Sequence, residues 1–148
     1  MAKEKIYKKT TEELFHEIKN AETAQSYFQE NGEEVTELSH SAYLRRLLEL
    51  HHVKKAELFR RAGLVGNNYG YELFRNDQKS PSRDILLRLS LAFPLTIEET
   101  QQLLRQAGLA ILYPRDRRDA FVLFALKENK SLDELNTLLI EKGLKALG

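Results

Sequence analysis

The sequence has no cysteine, only three prolines in 148 residues, and no long run of apolar residues. The absence of cysteine excludes disulfides, thiolate zinc sites, iron–sulfur clusters and a cysteine nucleophile, and it fits a reducing compartment. No apolar run approaches the length of a membrane-spanning helix, and the N-terminal residues MAKEKIYKK are not followed by an apolar signal core. We therefore expect a cytoplasmic protein that does not enter a membrane.

Signatures of catalysis are also missing from the sequence. The four histidines, at positions 16, 40, 51 and 52, form no His-x-x-x-His ligand pair, and adjacent residues on a helix point apart. There is no glycine-rich phosphate loop and no nucleophile elbow. We expect a protein that is not an enzyme and that has no cofactor and no metal site.

Helix signals run almost from end to end of the chain, whereas strand signals are nearly absent. Thr10, Thr96 and Ser131 each stand three residues before a glutamate, which is the spacing of an N-terminal capping box. Three glycines stand where a helix would need a left-handed C-terminal residue: Gly63, Gly108 and Gly143. These patterns predict an all-α protein with helices over residues 10–20, 22–31, 41–51, 54–62, 67–75, 82–93, 96–107, 114–129 and 131–142, and the alternative for the first two ranges is a single helix.

Charge is distributed unevenly along the chain. Residues 1–40 hold 5 Lys/Arg and 9 Asp/Glu, residues 41–92 hold 10 and 5, and residues 114–148 hold 7 and 6. A concentration of positive charge favours a polyanion as partner, although the solvent face of an ordinary helical domain gives the same pattern. We divide the chain into three segments: an acidic N-terminal helical extension (1–40), a basic central segment (41–108) and a C-terminal helical pair (109–148).

The five middle helices have apolar residues spaced to converge on one core. The expected core residues are Leu44, Leu47, Leu48, Leu58, Ala62, Leu64, Leu73, Phe74, Ile85, Leu89 and Ala92. Two of these helices are short, are separated by the glycine stop at Gly63, and lead into a polar exit. That layout is typical of a helix-turn-helix, a motif that places one helix in a DNA groove, so we interpret residues 41–108 as a helix-turn-helix domain.

Three stretches of the middle segment carry a family resemblance. They are the helix end Phe59-Arg60-Arg61-Ala62-Gly63-Leu64, the helix around Tyr69–Phe74, and the exit Lys79-Ser80-Pro81-Ser82. With them, residues 42–107 resemble the Cro/repressor-like, XRE-type helix-turn-helix family, and the flanks look similar to a small bacterial subgroup with extra N- and C-terminal helices. The resemblance implies a five-helix repressor-like core and a sequence-specific, double-stranded DNA-binding transcriptional regulator.

The third helix of that core is expected to meet base edges. Five residues lie at its start or on its outward face: Asn67, Asn68, Tyr71, Glu72 and Arg75. Asparagine pairs with adenine, arginine pairs with guanine, and glutamate accepts from cytosine. The alternatives are that the asparagines only cap the helix, that Glu72 is a solvated acid, and that Arg75 binds phosphate or nothing.

Six cations are expected to contact DNA phosphates: Lys54, Lys55, Arg60, Arg61, Lys79 and Arg83. Lys54 and Lys55 stand where the family usually has a capping hydroxyl and a glutamine, and the lost cap costs about 1 kcal/mol. A phosphate at this helix start would relieve the conflict between two cations and the positive end of the helix dipole. Gly70, inside the next helix, costs about 0.5–1 kcal/mol relative to alanine, so a close approach of another helix or of DNA is expected there.

The outer helices are candidates for partner binding. A single recognition helix rarely binds selectively, so we expect a homodimer on two half-sites. Residues 120–126 are nearly all apolar and are expected to be buried, against their own domain or in a dimer. In the stretch 115–119, three arginines alternate with two aspartates and are expected to form local ion pairs.

The acidic N-terminal segment carries Leu14, Phe15, Ile18, Tyr27 and Phe28, which are expected to dock on an apolar surface. The default interpretation of this segment is a solvated helical pair, and the alternatives are an arm that binds a protein partner and a DNA mimic that covers the basic face. These flanks support a second hypothesis for the function. It is a protein–protein interaction adaptor that keeps the helix-turn-helix fold without specific DNA binding.

Overall fold

The computed structural model describes residues 6–35, 38–66, 68–76 and 80–148. Within these ranges the chain forms nine helices and no strand, so the all-α prediction is confirmed. The helices are α1 (Thr11–Asn20), α2 (Ala24–Asn31), α3 (His40–His51), α4 (Lys55–Arg61), α5 (Tyr69–Arg75), α6 (Arg83–Ala92), α7 (Ile97–Gln106), α8 (Arg117–Lys127) and α9 (Leu132–Glu141). No helix in the described ranges is long and apolar enough to span a bilayer.

The chain forms two compact units, Met1–Leu38 and Ser39–Gly148. The first unit holds α1 and α2, and the second holds the seven other helices of the described chain. The sequence-based boundary at residue 40 lies close to this division. The expected helix-turn-helix segment and the C-terminal pair belong to the same unit, because α6 packs against both α8 and α9.

Hydroxyl side chains cap most of the described helix starts. Thr96 with Glu99, and Ser131 with Glu134, form the reciprocal capping boxes that the sequence predicts. The box predicted at Thr10 forms in one direction, in which the Thr10 hydroxyl accepts from the amide of Glu13 at 3.1 Å. The predicted C-terminal glycines also take left-handed backbone, with φ of 71° at Gly63, 71° at Gly108 and 73° at Gly143. Local capping chemistry therefore sets these helix ends.

The core of the second unit is centred on α6, which packs against α4, α7, α8 and α9. Leu86 and Leu87 are fully buried there, although the predicted stripe did not include them. A helix with four neighbours buries more than one stripe, which is why the single-stripe pattern missed them. Two predicted core residues, Leu48 and Ile85, are only half-buried. The remaining predicted core residues are buried: Leu44, Leu47, Leu58, Ala62, Leu64, Leu73, Phe74, Leu89 and Ala92.

Two crossed ion pairs fasten α8 to the start of α6. The Arg83 guanidinium donates to both oxygens of Asp119 at 2.8 Å, and Arg118 donates to both oxygens of Asp84 at 2.9 Å. The expectation of local pairs within residues 115–119 is therefore wrong for Arg118 and Asp119. Their partners lie 34 and 36 residues away, on another helix. Consecutive residues on one helix bind consecutive residues on the other, which fixes the register between α6 and α8.

The C-terminal pair does not bury its whole apolar run. Val122, Ala125 and Leu126 are buried, Phe121 and Leu123 are half-buried, and Phe124 is 57% exposed. Helix α8 contacts α6, α7 and α9 on part of its surface only, so burial of residues 120–126 against their own domain is incomplete, and their burial in a dimer stays a prediction. The aromatic ring of Phe124 is left on the outside of the unit.

The first unit is held together by a polar cluster as well as by packing between α1 and α2. The Lys9 ammonium donates to Glu17 at 2.7 Å and to Asn31 at 2.5 Å. Phe15, Ile18 and Phe28 stay exposed on this unit, whereas Tyr27 is buried. The unit therefore exposes large apolar side chains as well as acidic ones.

Candidate nucleic-acid interface

Helix α5 separates its residues into a buried side and an outward side. Gly70, Leu73 and Phe74 are buried. Asn68, Tyr71 and Arg75 are exposed, and Glu72 is half-buried beside them. Positions 68, 71, 72 and 75 fall on one face because side chains three, four and seven residues apart align on a helix. The structure thus brings together four of the five residues predicted to meet bases, and the fifth, Asn67, lies outside the described residues.

The inner side of α5 is shaped by the ring of Phe59 from α4. A Cβ atom placed on Gly70 would lie 2.9–3.0 Å from three ring carbons of Phe59. The same ring packs edge-on against Tyr71 and Phe74, with centroid distances of 4.8 and 5.5 Å. Glycine at position 70 therefore permits a close approach of the two helices, as the sequence led us to expect. The contact also braces the Tyr71 ring on the outward face.

We expect that the substitution Gly70→Ala lowers the free energy of unfolding by about 1 kcal/mol. Alanine improves helix propensity by about 1 kcal/mol, but forcing a methyl group into the Phe59 ring costs about 1–3 kcal/mol. Urea denaturation monitored by circular dichroism measures the balance. The same substitution in a Phe59→Leu background is the control, and there it should be neutral or stabilising. A rise in stability in the native background would contradict the close contact.

The start of α4 carries two lysines in the arrangement that the sequence predicts. Lys54 is the N-cap residue, with φ −84° and ψ 143°, and its side chain makes no capping hydrogen bond. Lys54 is exposed and Lys55 is half-buried, with its ammonium 6.0 Å from the centroid of the Phe74 ring. Within the described ranges, no carboxylate pairs with either lysine. Their charges are therefore available to an anionic partner.

Arg60 and Arg61, at the other end of α4, are both bound to Glu57. Arg60 forms a bidentate contact with this carboxylate, and Arg61 donates to it at 3.0 Å. The hydrogen bond from Arg60, assisted by Arg61, holds the pKa of the Glu57 carboxyl below its usual value. Arg61 also donates to the carbonyl of Ala92 at 3.2 Å. The acid offsets part of the positive charge that the sequence assigns to this helix end.

Arg83 has a structural role that differs from the predicted phosphate contact. Besides the Asp119 pair, its guanidinium donates to the carbonyls of Ala110 at 2.9 Å and Ile111 at 3.1 Å. All three guanidinium nitrogens are therefore engaged, and a phosphate would have to displace these partners. Lys79, the remaining predicted phosphate contact, lies outside the described residues.

Arginines that the sequence reasoning missed close the ends of the helices around the motif. Arg45 from α3 donates to the carbonyl of Phe74 in α5 at 2.6 Å. Arg88 from α6 donates to the carbonyls of Ala62 and Gly63, after α4, at 2.9 Å each. Arg61 likewise donates to the carbonyl of Ala92 at the end of α6. The excess of basic residues at 41–92 is therefore partly a set of helix-end caps, a use that charge counting cannot recognise.

Other chemistries find few groups in the described part of the chain. No cluster of three or more His, Asp or Glu side chains could hold a metal ion among those residues. His51 is paired with Glu99 at 2.8 Å beside the ring of Phe93, inside the packed core. The candidate site is thus the outward face of α5 together with the lysines that start α4.

No protein-family model, curated protein sequence or solved structure matches the chain.

Proposed function

We propose that the chain is a sequence-specific, double-stranded DNA-binding transcriptional regulator with a repressor-like helix-turn-helix core. The observation that carries the proposal is the division of α5. This short helix follows the left-handed turn at Gly63, fixes its inner side with Gly70, Leu73 and Phe74, and turns Asn68, Tyr71, Glu72 and Arg75 outward. A recognition helix needs that division, because one side holds its position while the other meets base edges.

The chemistry of the outward face suits direct readout of bases. An asparagine amide can donate to N7 of adenine and accept from its N6 amino group, an arginine guanidinium can donate to O6 and N7 of guanine, and a glutamate can accept from cytosine. Tyr71 adds an aromatic ring that is braced on Phe59 and still partly exposed. Three side chains with different base preferences on one short helix favour binding to particular DNA sequences over equal binding to all duplexes.

Phosphate anchoring in this proposal rests chiefly on Lys54 and Lys55. They are the predicted phosphate contacts that have no carboxylate partner in the described ranges. Arg60 and Arg61 share the Glu57 carboxylate, and Arg83 is held by Asp119, so their contribution is smaller. With few phosphate contacts per copy, a homodimer on two half-sites is the form expected to bind tightly.

Salt dependence of binding tests the DNA proposal. We expect the intact chain to bind duplexes selected from a random pool, with log affinity falling by about 0.9 per phosphate contact for each unit of log salt. Replacing Lys54 and Lys55 by alanine should weaken all sequences alike and flatten this slope. Asn68→Ala should keep the slope and reduce the preference between sequences. Fluorescence anisotropy over a salt series measures both effects.

The exposed Lys142, outside the helix-turn-helix, is the matched control. Lys142→Ala removes one positive charge, as each α4 substitution does, and should leave the slope nearly unchanged. If Lys142→Ala flattens it as much as Lys54→Ala does, the docking face is misplaced. If no duplex binds saturably even at low salt, the DNA proposal fails.

A protein–protein adaptor is the second candidate function, and one observation favours it. The described outward face of α5 offers a single cation, Arg75, while Arg45, Arg61 and Arg88 nearby are occupied with helix ends. A surface with so few available cations is weak for a DNA-binding helix. Failure of DNA binding at low salt, with the fold intact by circular dichroism, would favour the adaptor.

A further inference from the structure

An open groove of about 640 Å³ lies between α8 and α9. Its apolar lining includes Phe121, Phe124 and Leu138, and its rim includes Glu128, Lys130 and Asp133. We propose that this groove is the surface through which two copies of the chain associate. The inference deepens the proposed function, which needs a dimer but does not say where the copies meet.

The groove combines a protruding group with a recess on one surface. The Phe124 ring is 57% exposed and stands beside the space lined by Phe121 and Leu138. In a two-fold dimer the same patch faces itself, so a side chain of one copy must fit the recess of the other and the reverse. An exposed aromatic ring next to an apolar recess meets this requirement, since each Phe124 can enter the partner's groove.

Charge favours a second copy at this place over the other segments of the chain. Residues 1–40 hold 5 basic and 9 acidic residues, and residues 41–92 hold 10 and 5, so each of these segments repels its own copy. Residues 114–148 hold 7 and 6 and are nearly balanced. Like charges placed face to face are costly at an interface, so the nearly balanced C-terminal pair suits self-association better than either of the two charged segments.

The rim can also complement itself. Lys130 forms exposed ion pairs with Glu128 at 3.8 Å and with Glu134 at 3.7 Å, and exposed pairs of this kind contribute little to stability, so a partner's groups can replace them. In a two-fold arrangement the lysine of one rim can meet the acids of the other. The ammonium of Lys127 lies 5.7 Å from the centroid of the Phe124 ring and shields part of it until a partner ring or methyl group displaces the lysine.

The groove is well placed to act on the helix-turn-helix. Helix α8 is fastened to the start of α6 by the Arg83–Asp119 and Arg118–Asp84 pairs, and α6 packs directly on α4. Packed elements therefore connect α8 and α9 to α4, and the Phe59 ring of α4 packs in turn on Tyr71 and Phe74 of α5. Two copies joined here would hold their recognition helices in a fixed relation, which half-site spacing requires.

Sedimentation equilibrium of the full chain without DNA tests the inference. We expect a reversible monomer–dimer equilibrium in the intact chain, and Phe124→Ser should raise its dissociation constant at least tenfold. Thr137→Arg, which adds bulk and charge at another exposed lining position, should do the same. Tyr113→Ser is the control, because Tyr113 is also aromatic and 57% exposed but does not line the groove. Circular dichroism confirms that each variant is folded.

The outcomes separate this inference from the DNA proposal. If the chain stays monomeric at every concentration, the groove is overturned as the dimer surface. The same holds if the chain dimerises but Phe124→Ser and Thr137→Arg raise the dissociation constant no more than Tyr113→Ser does. A dimer that these two substitutions weaken supports it even if no duplex binds, and in that case only the DNA proposal fails. If the chain stays monomeric and still binds duplexes with a steep salt slope, the DNA proposal is supported and the groove is overturned as the dimer surface.

Discussion

Replacement of Asp119 by asparagine is expected to lower the free energy of unfolding by about 3 kcal/mol. Asp119 is 6% exposed, receives two hydrogen bonds from Arg83, and accepts from the amide of Tyr113 at 3.0 Å. Removing one partner of a buried ion pair typically costs 3–5 kcal/mol, because the other charge is left uncompensated. The low end applies here, since a quarter of the Arg83 side chain reaches solvent and two carbonyls still bind it.

Thermal unfolding followed by circular dichroism measures this loss. For a chain of this size, 3 kcal/mol corresponds to a fall in Tm of roughly 6–12 °C. Glu141→Gln, a neutralised carboxylate that is exposed on α9, is the control and should shift Tm little. If Asp119→Asn and Glu141→Gln unfold at the same temperature, the crossed pairs do not stabilise the unit.

The Asp119 pair also makes stability depend on acid. Burial raises the pKa of this carboxyl, but the hydrogen bonds from Arg83 and from the Tyr113 amide outweigh burial and hold its pKa below the usual value. A carboxyl whose pKa is lower in the folded chain stabilises it above the unfolded value of about 3.9. That contribution is lost as the pH falls through the folded pKa. The intact chain should therefore lose more stability on acidification than Asp119→Asn, and the two stability curves should converge in acid.

Replacement of Phe59 by alanine is expected to cost about 3–5 kcal/mol of unfolding free energy, the usual range for removing a buried aromatic ring. The ring is 3% exposed and lies between Gly70, Tyr71 and Phe74. Its loss leaves a cavity under α5 and removes the support of Tyr71. Urea denaturation measures the cost, and Phe15→Ala, which truncates an exposed ring in the first unit, should change stability by less than about 0.5 kcal/mol.

The Phe59 substitution also has a consequence for the proposed DNA contact. With α5 loosened, discrimination between duplexes should fall, while the salt slope set by Lys54 and Lys55 should persist. Binding is best measured at low temperature and at concentrations where circular dichroism shows the variant to be folded. Full sequence discrimination in a folded Phe59→Ala chain would mean that the α4–α5 contact does not position the outward face.

Local chemistry made the helices predictable from the sequence. Capping boxes at Thr96 and Ser131 depend on residues three positions apart, and the left-handed ends at Gly63, Gly108 and Gly143 depend on one residue each. The division of α5 also follows from helical periodicity, so the outward residues could be named in advance. Features that depend on residues close together in the sequence could thus be predicted from the sequence.

Long-range partners were the features that sequence reasoning could not supply. Arg83 has the charge and the position of a phosphate contact, yet its partner Asp119 lies 36 residues away. The burial of Leu86 and Leu87 depends on the C-terminal helices docking on α6, which no local pattern records. Asn67 and Lys79 lie outside the described residues, so their predicted contacts stay predictions.

The arginine caps make the helix ends of the second unit depend on one another. Arg61 of α4 donates to the carbonyl of Ala92 at the end of α6, and Arg88 of α6 donates to the carbonyl of Ala62 at the end of α4. Arg45 of α3 donates to a carbonyl at the end of α5 in the same way. A lysine in any of these places would keep the charge but would lose the several donors of the planar guanidinium. Those donors let one arginine bind carbonyls and other partners at the same time. Fraying of one helix would remove a cap from another, so the motif should lose its helix ends together, as one cooperative unit.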